Sequence, residues 1–427
     1  MRICHITSVD TTLAILFAGQ LSYKIDLGFE VWGVCSPGAS VEAVRAHGVH
    51  VHPIRMARAS ASPGDLISLA RMIGFFLTHR FDIVEMSTPK AVLLGSIAAW
   101  ITRQPTRIVT LRGAYYESMT GLKRRLCRLT DKLGCLLAHR VVTICHELGQ
   151  MIVRDRLCAA DKVTTYLSGS SNGLDLSRFT PTPERIAAGR RLRSERRIAD
   201  EAIVIGNVGR LRCAKGTGEL VDAFETLLAR GRNVYLLLVG GYETVDPLPP
   251  ELRLKIETHP RIINVGHQPD TENYYTAMDI FAFPTYREGF GNVGLEASAM
   301  GLPIVASDVM GVRESAPGGI AALAVPPRDA AALADALDRL IADPDLRRQL
   351  AEGGQKRARE QFARQAIWHA MLADYAKLLA RRGKSLPPRA AAIVGQSPVE
   401  PPEQSSSPVR DPASQIAHTC ESSRCPS

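Results

Sequence analysis

The chain is predicted to fold as two doubly wound α/β units facing each other across a cleft. Three observations carry that expectation. Short apolar runs alternate with amphipathic helical patterns from residue 3 to about 382, the rhythm breaks in the polar stretch SGSSNGLDLSRFTPTPE (168–184), and it then starts again. Strands alternating with helices give parallel sheets with crossover helices, not sandwiches or bundles. Ligands of such sheets sit at the carboxyl ends of the strands.

In the first half, Ile3 to Ile6 reads as a strand, followed by helical spacing through Leu16, Leu21 and Ile25. Strand patterns recur at EVWGVC (30–35), VHVHPI (49–54), FDIVEM (81–86), RIVTL (107–111) and RVVTIC (140–145). Helical patterns lie between and after them at 41–47, 65–79, 91–102, 118–138 and about 146–156. The Ser, Gly, Asn and Pro of 168–184 mark a domain boundary, and a basic helix over 185–197 follows. In the second half, strands are expected at 202–209, 234–241, 261–266, 279–285 and 303–307. Helices are expected at 216–230, 271–278, 293–300, 329–341 and 345–382. The Pro- and Ser-dense segment 385–427 has too little apolar clustering to offset its ordering entropy, so disorder is expected there.

Composition narrows the class. At about 150 residues per domain, 427 residues suggest two to three domains, and 45% hydrophobic with 22% charged residues is globular. The nine cysteines are scattered and form no CxxC pair, so a reducing compartment and no structural zinc are expected. Neither a secretory signal nor an apolar run long enough to span a bilayer is visible. A net charge of +9 favours anionic partners. Nucleic acid is not among them, because there is no zinc-ligand spacing, recognition-helix module or aromatic-basic motif.

Two stretches carry chemistry. In DIFAFPTYREGFGNVGLEASAMGLPIVASD (279–308), a buried strand ends at Pro284 and a loop presents Glu288. Gly289, Phe290, Gly291 and Asn292 then lead into a helix bearing Glu296. Glycines let backbone approach a ligand, and free N–H groups at a helix start hold phosphate or carbonyl oxygen. Glu296, one turn in, either reaches back to ribose hydroxyls or is a helix-start charge. In IVIGNVGRLRCAKGTGE (203–219), Gly209 turns the chain to present Arg210, and Lys215 precedes a second helix. Two fixed cations there make a metal-free diphosphate site, the alternative being surface charges in a polar loop.

On these residues the chain resembles the retaining GT-B glycosyltransferases of family 4, the CapM/PglA-like sugar transferases of bacterial surface polysaccharide assembly. The resemblance rests on VGRLRCAKG (208–216), EGFGNVGLEASAMGLPIVASD (288–308), SSNGLDLSRF (170–179) and STPKAVLLG (87–95), and covers roughly residues 1–380. It implies a GT-B fold with a nucleotide-sugar donor, UDP-linked, held mostly by the second domain, and no metal or other cofactor. Arg210 and Lys215 match the pair that neutralises the diphosphate, Glu288 the glutamate beside the donor sugar, and Glu296 the one that binds ribose. The backbone of Phe290, Gly291 and Asn292 would line phosphate and sugar.

The implied organisation is an N-terminal acceptor domain (1–170), a linker with the basic helix (171–201) and a donor-binding domain (202–365). A helix returning to the first domain (366–384) and the disordered tail (385–427) complete it. Two departures stand out. Relatives carry a glycine-rich loop where this chain has Ser8-Val9-Asp10-Thr11-Thr12, and often a histidine where it has Arg112. Arg112 either replaces that histidine, meeting a sugar or a phosphate of donor or acceptor, or is a structural ion-pair partner.

The segment SMTGLKRRLCRLTDKLGCLLAHR (118–140) sets six leucines on one helical face, flanked by Lys123, Arg124, Arg125, Arg128 and Lys132. Such a helix either docks on an anionic membrane or faces the core with a solvated basic rim. With the family's lipid-linked diphosphate-sugar acceptors, the expectation is a peripheral protein on the cytoplasmic face of the inner membrane. A UDP-sugar 2-epimerase on the same fold and a non-catalytic subunit of an envelope assembly complex are the rival functions.

Overall fold

The computed structural model describes residues 1–56, 63–170 and 172–395. The first unit holds seven parallel strands: β1 (Arg2–Ile6), β2 (Glu30–Cys35), β3 (His50–Pro53), β4 (Ile83–Ser87), β5 (Arg107–Leu111), β6 (Arg140–Thr143) and β7 (Val163–Thr164). Their order across the sheet is β3-β2-β1-β4-β5-β6-β7. Between them run α1 (Ala18–Asp26), α2 (Val41–Ala46), α3 (Gly64–Thr78), α4 (Pro89–Ile101), α5 (Gly121–Leu137) and α6 (His146–Arg154). After α7 (Pro183–Glu195), the second unit lays down β8 (Ile203–Val208), α8 (Thr217–Ala229), β9 (Val234–Val239), α9 (Pro250–Thr258), β10 (Ile262–Asn264) and α10 (Glu272–Tyr275). It continues with β11 (Ile280–Phe283), α11 (Asn292–Ala299), β12 (Ile304–Ser307), α12 (Val312–Ser315), β13 (Ala322–Val325) and α13 (Ala330–Ala342). Here the order is β10-β9-β8-β11-β12-β13, again all parallel. The described residues finish with α14 (Pro344–Phe362), α15 (Arg364–Ala380) and α16 (Pro388–Gly395). This is the two-sheet α/β architecture expected.

Both sheets are buried on both faces, which is why their strands read as near-continuous apolar runs. The first packs one face on α3, α4 and α5 through Met72, Phe76, Leu94, Ala98 and Cys135. Its other face meets α1, α2 and α15 through Leu21, Val44, Met371 and Leu379. The second sheet buries Val221, Phe224, Ile256 and Leu337 on one side, and Tyr275 and Leu295 on the other. Helix starts are capped locally: Asp329 accepts from Ala332 N (2.8 Å) and Asp343 from Leu346 N (2.9 Å).

Three sequence expectations need correction. The helix expected over 345–382 is two, parted at Ala363, whose extended backbone opens a gap that Leu174 fills. Leu174 N donates to Phe362 O (2.7 Å), and Arg364 N donates to Leu174 O (3.1 Å). Nothing in the composition of 345–382 signals this break, because it serves a crossing with a residue 190 positions away. Disorder from 385 onward fails for its first residues. Leu386 and Ala390 are buried, and Ile393 and Val394 pack on the first unit's core, so α16 forms. The rest of that tail, 396–427, and linker residue 171 lie outside the described residues. The short elements β7, α9, α12 and β13 escape a reading based on long periodic runs.

Charge is also used inside the first unit. Lys24 Nζ donates to Glu85 Oε2 (3.1 Å) and to Tyr375 Oη (2.7 Å), and Tyr375 in turn bonds Glu85. His5 Nδ1 lies 3.0 Å from the same carboxylate. Burial raises the Glu85 pKa, but Lys24 and His5 overcome that and hold it well below its ordinary range. This cluster ties α1 and α15 to β1 and β4. Arg140 to Asp374 (2.8 Å) adds a second tie to α15.

Candidate active site

In the second sheet the strand order switches from one side of β8 to the other at β11, and the charged residues expected there follow these two strands. Arg210 follows β8. After it a tight turn, Cys213–Lys215, ends at Gly216, which is left-handed (φ 69°) and begins α8. A Cβ on Gly216 would fall 2.0 Å from Pro284 O at the end of β11. Only glycine lets the two strand-end loops close on each other here. That closure sets Lys215 beside Glu288, and the two form an ion pair.

Arg210 Nη1 donates to Glu243 Oε2 at 2.6 Å. Glu243 lies just past β9, in the Gly240-Gly241 turn. The Arg210 side chain is 62% exposed, whereas Lys215 is 17% and Glu288 24% exposed. Both cations therefore stand at the mouth of the sheet, each balanced by a carboxylate that an anion could replace.

Next along the chain, Phe290 turns inward, buried against Phe362 at a ring separation of 5.7 Å. Gly291 takes φ 85° and starts α11, whose first N–H groups face the same mouth. So Phe290, Gly291 and Asn292 offer backbone to the site, with the Phe290 ring serving as an anchor. Glu296, one turn into α11, accepts from Tyr275 Oη (2.8 Å). Burial pushes its pKa up to about 7, with the Tyr275 hydroxyl and Arg178 pulling the other way. It is enclosed yet not ion-paired, unlike a solvated helix-start charge.

Arg112 stands apart from that group. Its Nε donates to Ser87 Oγ (2.6 Å), and its guanidinium lies 5.0 Å from the Phe17 ring centroid. Burial lowers its pKa to about 10, with Glu85 raising it through space. No ion pair forms at contact distance among the described residues. Its guanidinium borders a small cavity with Glu85, Gln20, Tyr166 and Ser170. Its backbone meets the donor loop: a Cβ on Gly289 would lie 2.1 Å from Arg112 O.

The core-facing alternative for α5 does not hold. Leu122 is 81% and Leu136 66% exposed, Leu126 and Leu129 are exposed as well, and the buried residues of the helix are Gly134 and Cys135. A Cβ on Gly134 would lie 2.5 Å from Val92 Cγ1, so α5 docks on α4 at Gly134 and turns Leu122, Leu126, Leu129 and Leu136 outward, while Leu133 and Leu137 are half-buried. Leu66, Ile67 and Leu77 of α3 and Trp100 and Ile101 of α4 are exposed too. No described helix is long and apolar enough to cross a membrane.

Sequence reasoning missed Glu243 and Tyr275. Glu243 had a usable signal, a glycine pair at the end of a strand next to β8. Tyr275 had none, since its pairing with Glu296 depends on how α10 and α11 share one face of the sheet.

Comparison with known proteins gives the following. Residues 202–343 match the family model described as glycosyl transferases group 1, and 23–166 match a glycosyl transferase 4-like domain. The chain is 32% identical over 374 residues to the capsular polysaccharide biosynthesis glycosyltransferase CapM of Staphylococcus aureus, covering 88% of this chain and 96% of that one. It is 34% identical over 197 residues to the lipopolysaccharide core biosynthesis glycosyltransferase LpsE of Rhizobium meliloti, covering 46% and 56%. Among solved structures, Anabaena Alr3699/HepE with UDP and glucose superposes at a TM-score of 0.72 with 22% identity, over 89% of this chain and all of that one. WaaG, a glycosyltransferase of lipopolysaccharide biosynthesis, superposes at 0.64 with 15% identity, over 92% and all. These last two speak for the fold.

Proposed function

The chain belongs to the family 4-like GT-B glycosyltransferases, and from that premise we propose that it moves a hexose or N-acetylhexosamine from a UDP-sugar to a lipid-linked or polysaccharide acceptor. The transfer serves bacterial envelope glycan synthesis and retains the anomeric configuration. The capsule and lipopolysaccharide roles named for CapM and LpsE support the glycan class. The UDP and glucose bound to the Anabaena protein support the donor. An epimerase or a subunit without chemistry is set aside by the family.

One observation supports the reading: Arg210 and Lys215 follow β8 and Glu288 and the start of α11 follow its neighbour β11, with Arg210 bonded to Glu243 and Lys215 to Glu288. The bond from the anomeric carbon to the β-phosphate oxygen breaks, and negative charge grows on the diphosphate. The two cations and the free N–H groups of α11 receive that charge where it develops. The acceptor hydroxyl oxygen bonds the anomeric carbon from the same face, and its proton passes to the departing phosphate oxygen. Glu288, released from Lys215 as phosphate arrives, stands beside the sugar. Glu296 takes the ribose hydroxyls, and the backbone of Phe290, Gly291 and Asn292 lines the donor. The cations supply the charge that a divalent ion supplies in other transferases, so no metal or other cofactor enters the scheme.

The acceptor belongs to the first unit, with Arg112 at its edge. The outward leucines of α5 with Lys123, Arg124, Arg125 and Arg128 suit an anionic bilayer, which supports a peripheral protein on the cytoplasmic face of the inner membrane. The test combines binding and turnover. UDP-, GDP- and ADP-sugars are screened by thermal shift against the intact chain and Lys215→Ala. A UDP-sugar is expected to raise the melting temperature of the parent, because only a ligand of the folded state stabilises it. Lys215→Ala should lose that shift and cut turnover about a hundredfold or more. A variant stabilised by the UDP-sugar as well as the parent sinks the assignment.

A further inference from the structure

The joint between the two units contains a carboxylate that caps a helix of the other unit. Helix α6 has nine residues, and its own N-cap, Cys145, supplies no side-chain bond to its first turn. Glu314 supplies it from α12 of the second unit. Its Oε2 accepts from His146 N at 2.9 Å and its Oε1 from Glu147 N at 2.8 Å, and His146 Nδ1 lies 3.3 Å away. These are the orphan donors of a helix start, and a carboxylate is their natural counter-charge. Beside it Arg313 Nη1 reaches Glu147 Oε1 (2.8 Å) across the same joint, oriented by Asp308 at 2.6 Å.

The other side of α12 supports the donor loop. A Cβ on Gly311 would lie 2.6 Å from Gly289 O and 2.9 Å from Glu288 O, and one on Gly291 would lie 3.0 Å from Ser315 Oγ. From the opposite direction, Arg112 O presses on Gly289. The loop 288–291 is thus clamped between α12 and the first unit, and α12 is itself fastened to α6.

We propose that Glu314 is a positioning residue for transfer. Its carboxylate, docked on α6, latches the two units together and thereby holds the loop carrying Glu288 in place. The inference rests on the glycosyl-transfer reading of that loop, but the contact can be tested without it.

The test is hydrogen exchange on the full chain, with and without UDP, for the parent, Glu314→Ala and Glu314→Gln. In Glu314→Ala the first-turn amides of α6 should exchange about tenfold faster or more, and the amides of 286–292 should accelerate with them. Glu314→Gln, which keeps an acceptor oxygen, should restore part of both. Arg313→Ala, which loosens the joint from the Glu147 side, should move both segments in the same direction by less and covers the case of an alanine variant that folds poorly. UDP affinity by calorimetry should weaken by about threefold or more in Glu314→Ala, since the loosened backbone of 290–292 is proposed to line the donor. Acceleration confined to α6 makes Glu314 a cap only and overturns the proposal. Unchanged exchange in both segments overturns it as well. Failure of the parent itself to bind UDP strikes the transfer reading and leaves the exchange result to decide the latch.

Discussion

In both parallel sheets the strand order reverses, in one between β1 and β4 and in the other between β8 and β11, and each has a glutamate near that switch. Glu85 on β4 and Glu296 on α11 are both deeply enclosed, so desolvation pushes both carboxyls toward the neutral form. Their outcomes are opposite. Glu85 has Lys24 at 3.1 Å and is held well below its ordinary range, whereas Glu296 has the Tyr275 hydroxyl and Arg178 acting through space, too little to offset burial, and rises to about 7. A buried cation decides which way a buried carboxylate goes. The first unit spends its charges on architecture, closed under α15. The second unit pairs Arg210 with Glu243 and Lys215 with Glu288 after its strand ends, where the proposed donor would have to displace the glutamates.

Breaking the first arrangement should have the largest effect. Lys24→Met leaves Glu85 buried without its main partner, and removing one member of such a pair costs about 3–5 kcal/mol. Urea unfolding should show that loss, and α15 should exchange faster, because Tyr375 bonds both Lys24 and Glu85. UDP affinity should survive in the fraction that folds. A stability within about 1 kcal/mol of the parent shows that the cluster is not what fastens α15.

The next effect is smaller and separates the two glutamates by pH. The folded pKa of Glu296 is about 7 against a reference of 4.5, so the folded state binds its proton more tightly than the unfolded state does. Its contribution to stability is therefore complete below pH 4.5 and is lost as pH rises through 7. Glu296→Gln cannot ionise, so the stability difference between parent and variant should shrink or change sign across that window, read by urea midpoints without ligand. Glu85 titrates far below the window and contributes no slope there. A difference that stays flat with pH places Glu296 in contact with solvent or with a cation.

These contrasts explain how much could be read from the residues alone. The alternation of strands and helices is local, so both sheets were legible, as was the position of Arg210 after β8 and of Glu288 after β11. So was the outward basic face of α5, although its leucines could equally have turned inward; the small residues Gly134 and Cys135 settle it by docking on α4. Pairings between distant elements were not legible. Lys24 meets Tyr375, 351 positions away, and Leu174 parts α14 from α15 across a shorter but still long span. Glu314 reaching α6 belongs to the same group. Such contacts are fixed by how the two units pack, and no periodicity in the chain records that.

The smallest effect probes whether the rim pairs are exchangeable as this contrast requires. Arg210 is 62% exposed and its bond to Glu243 faces water, so the pair adds little to stability. An incoming diphosphate must displace Glu243 from Arg210, and Glu243→Gln removes that competitor together with a negative charge from the mouth of the site. UDP should then bind more tightly, by about fivefold at most, since 1.4 kcal/mol corresponds to a factor of ten. The gain should shrink as salt is raised to about 1 M, where charges more than about 3 Å apart are screened. Calorimetry at two salt concentrations reads both. If UDP binds more weakly to Glu243→Gln, then Glu243 aims Arg210 at the phosphates instead of competing with them, and the rim would share the fixed pairing seen at Glu85.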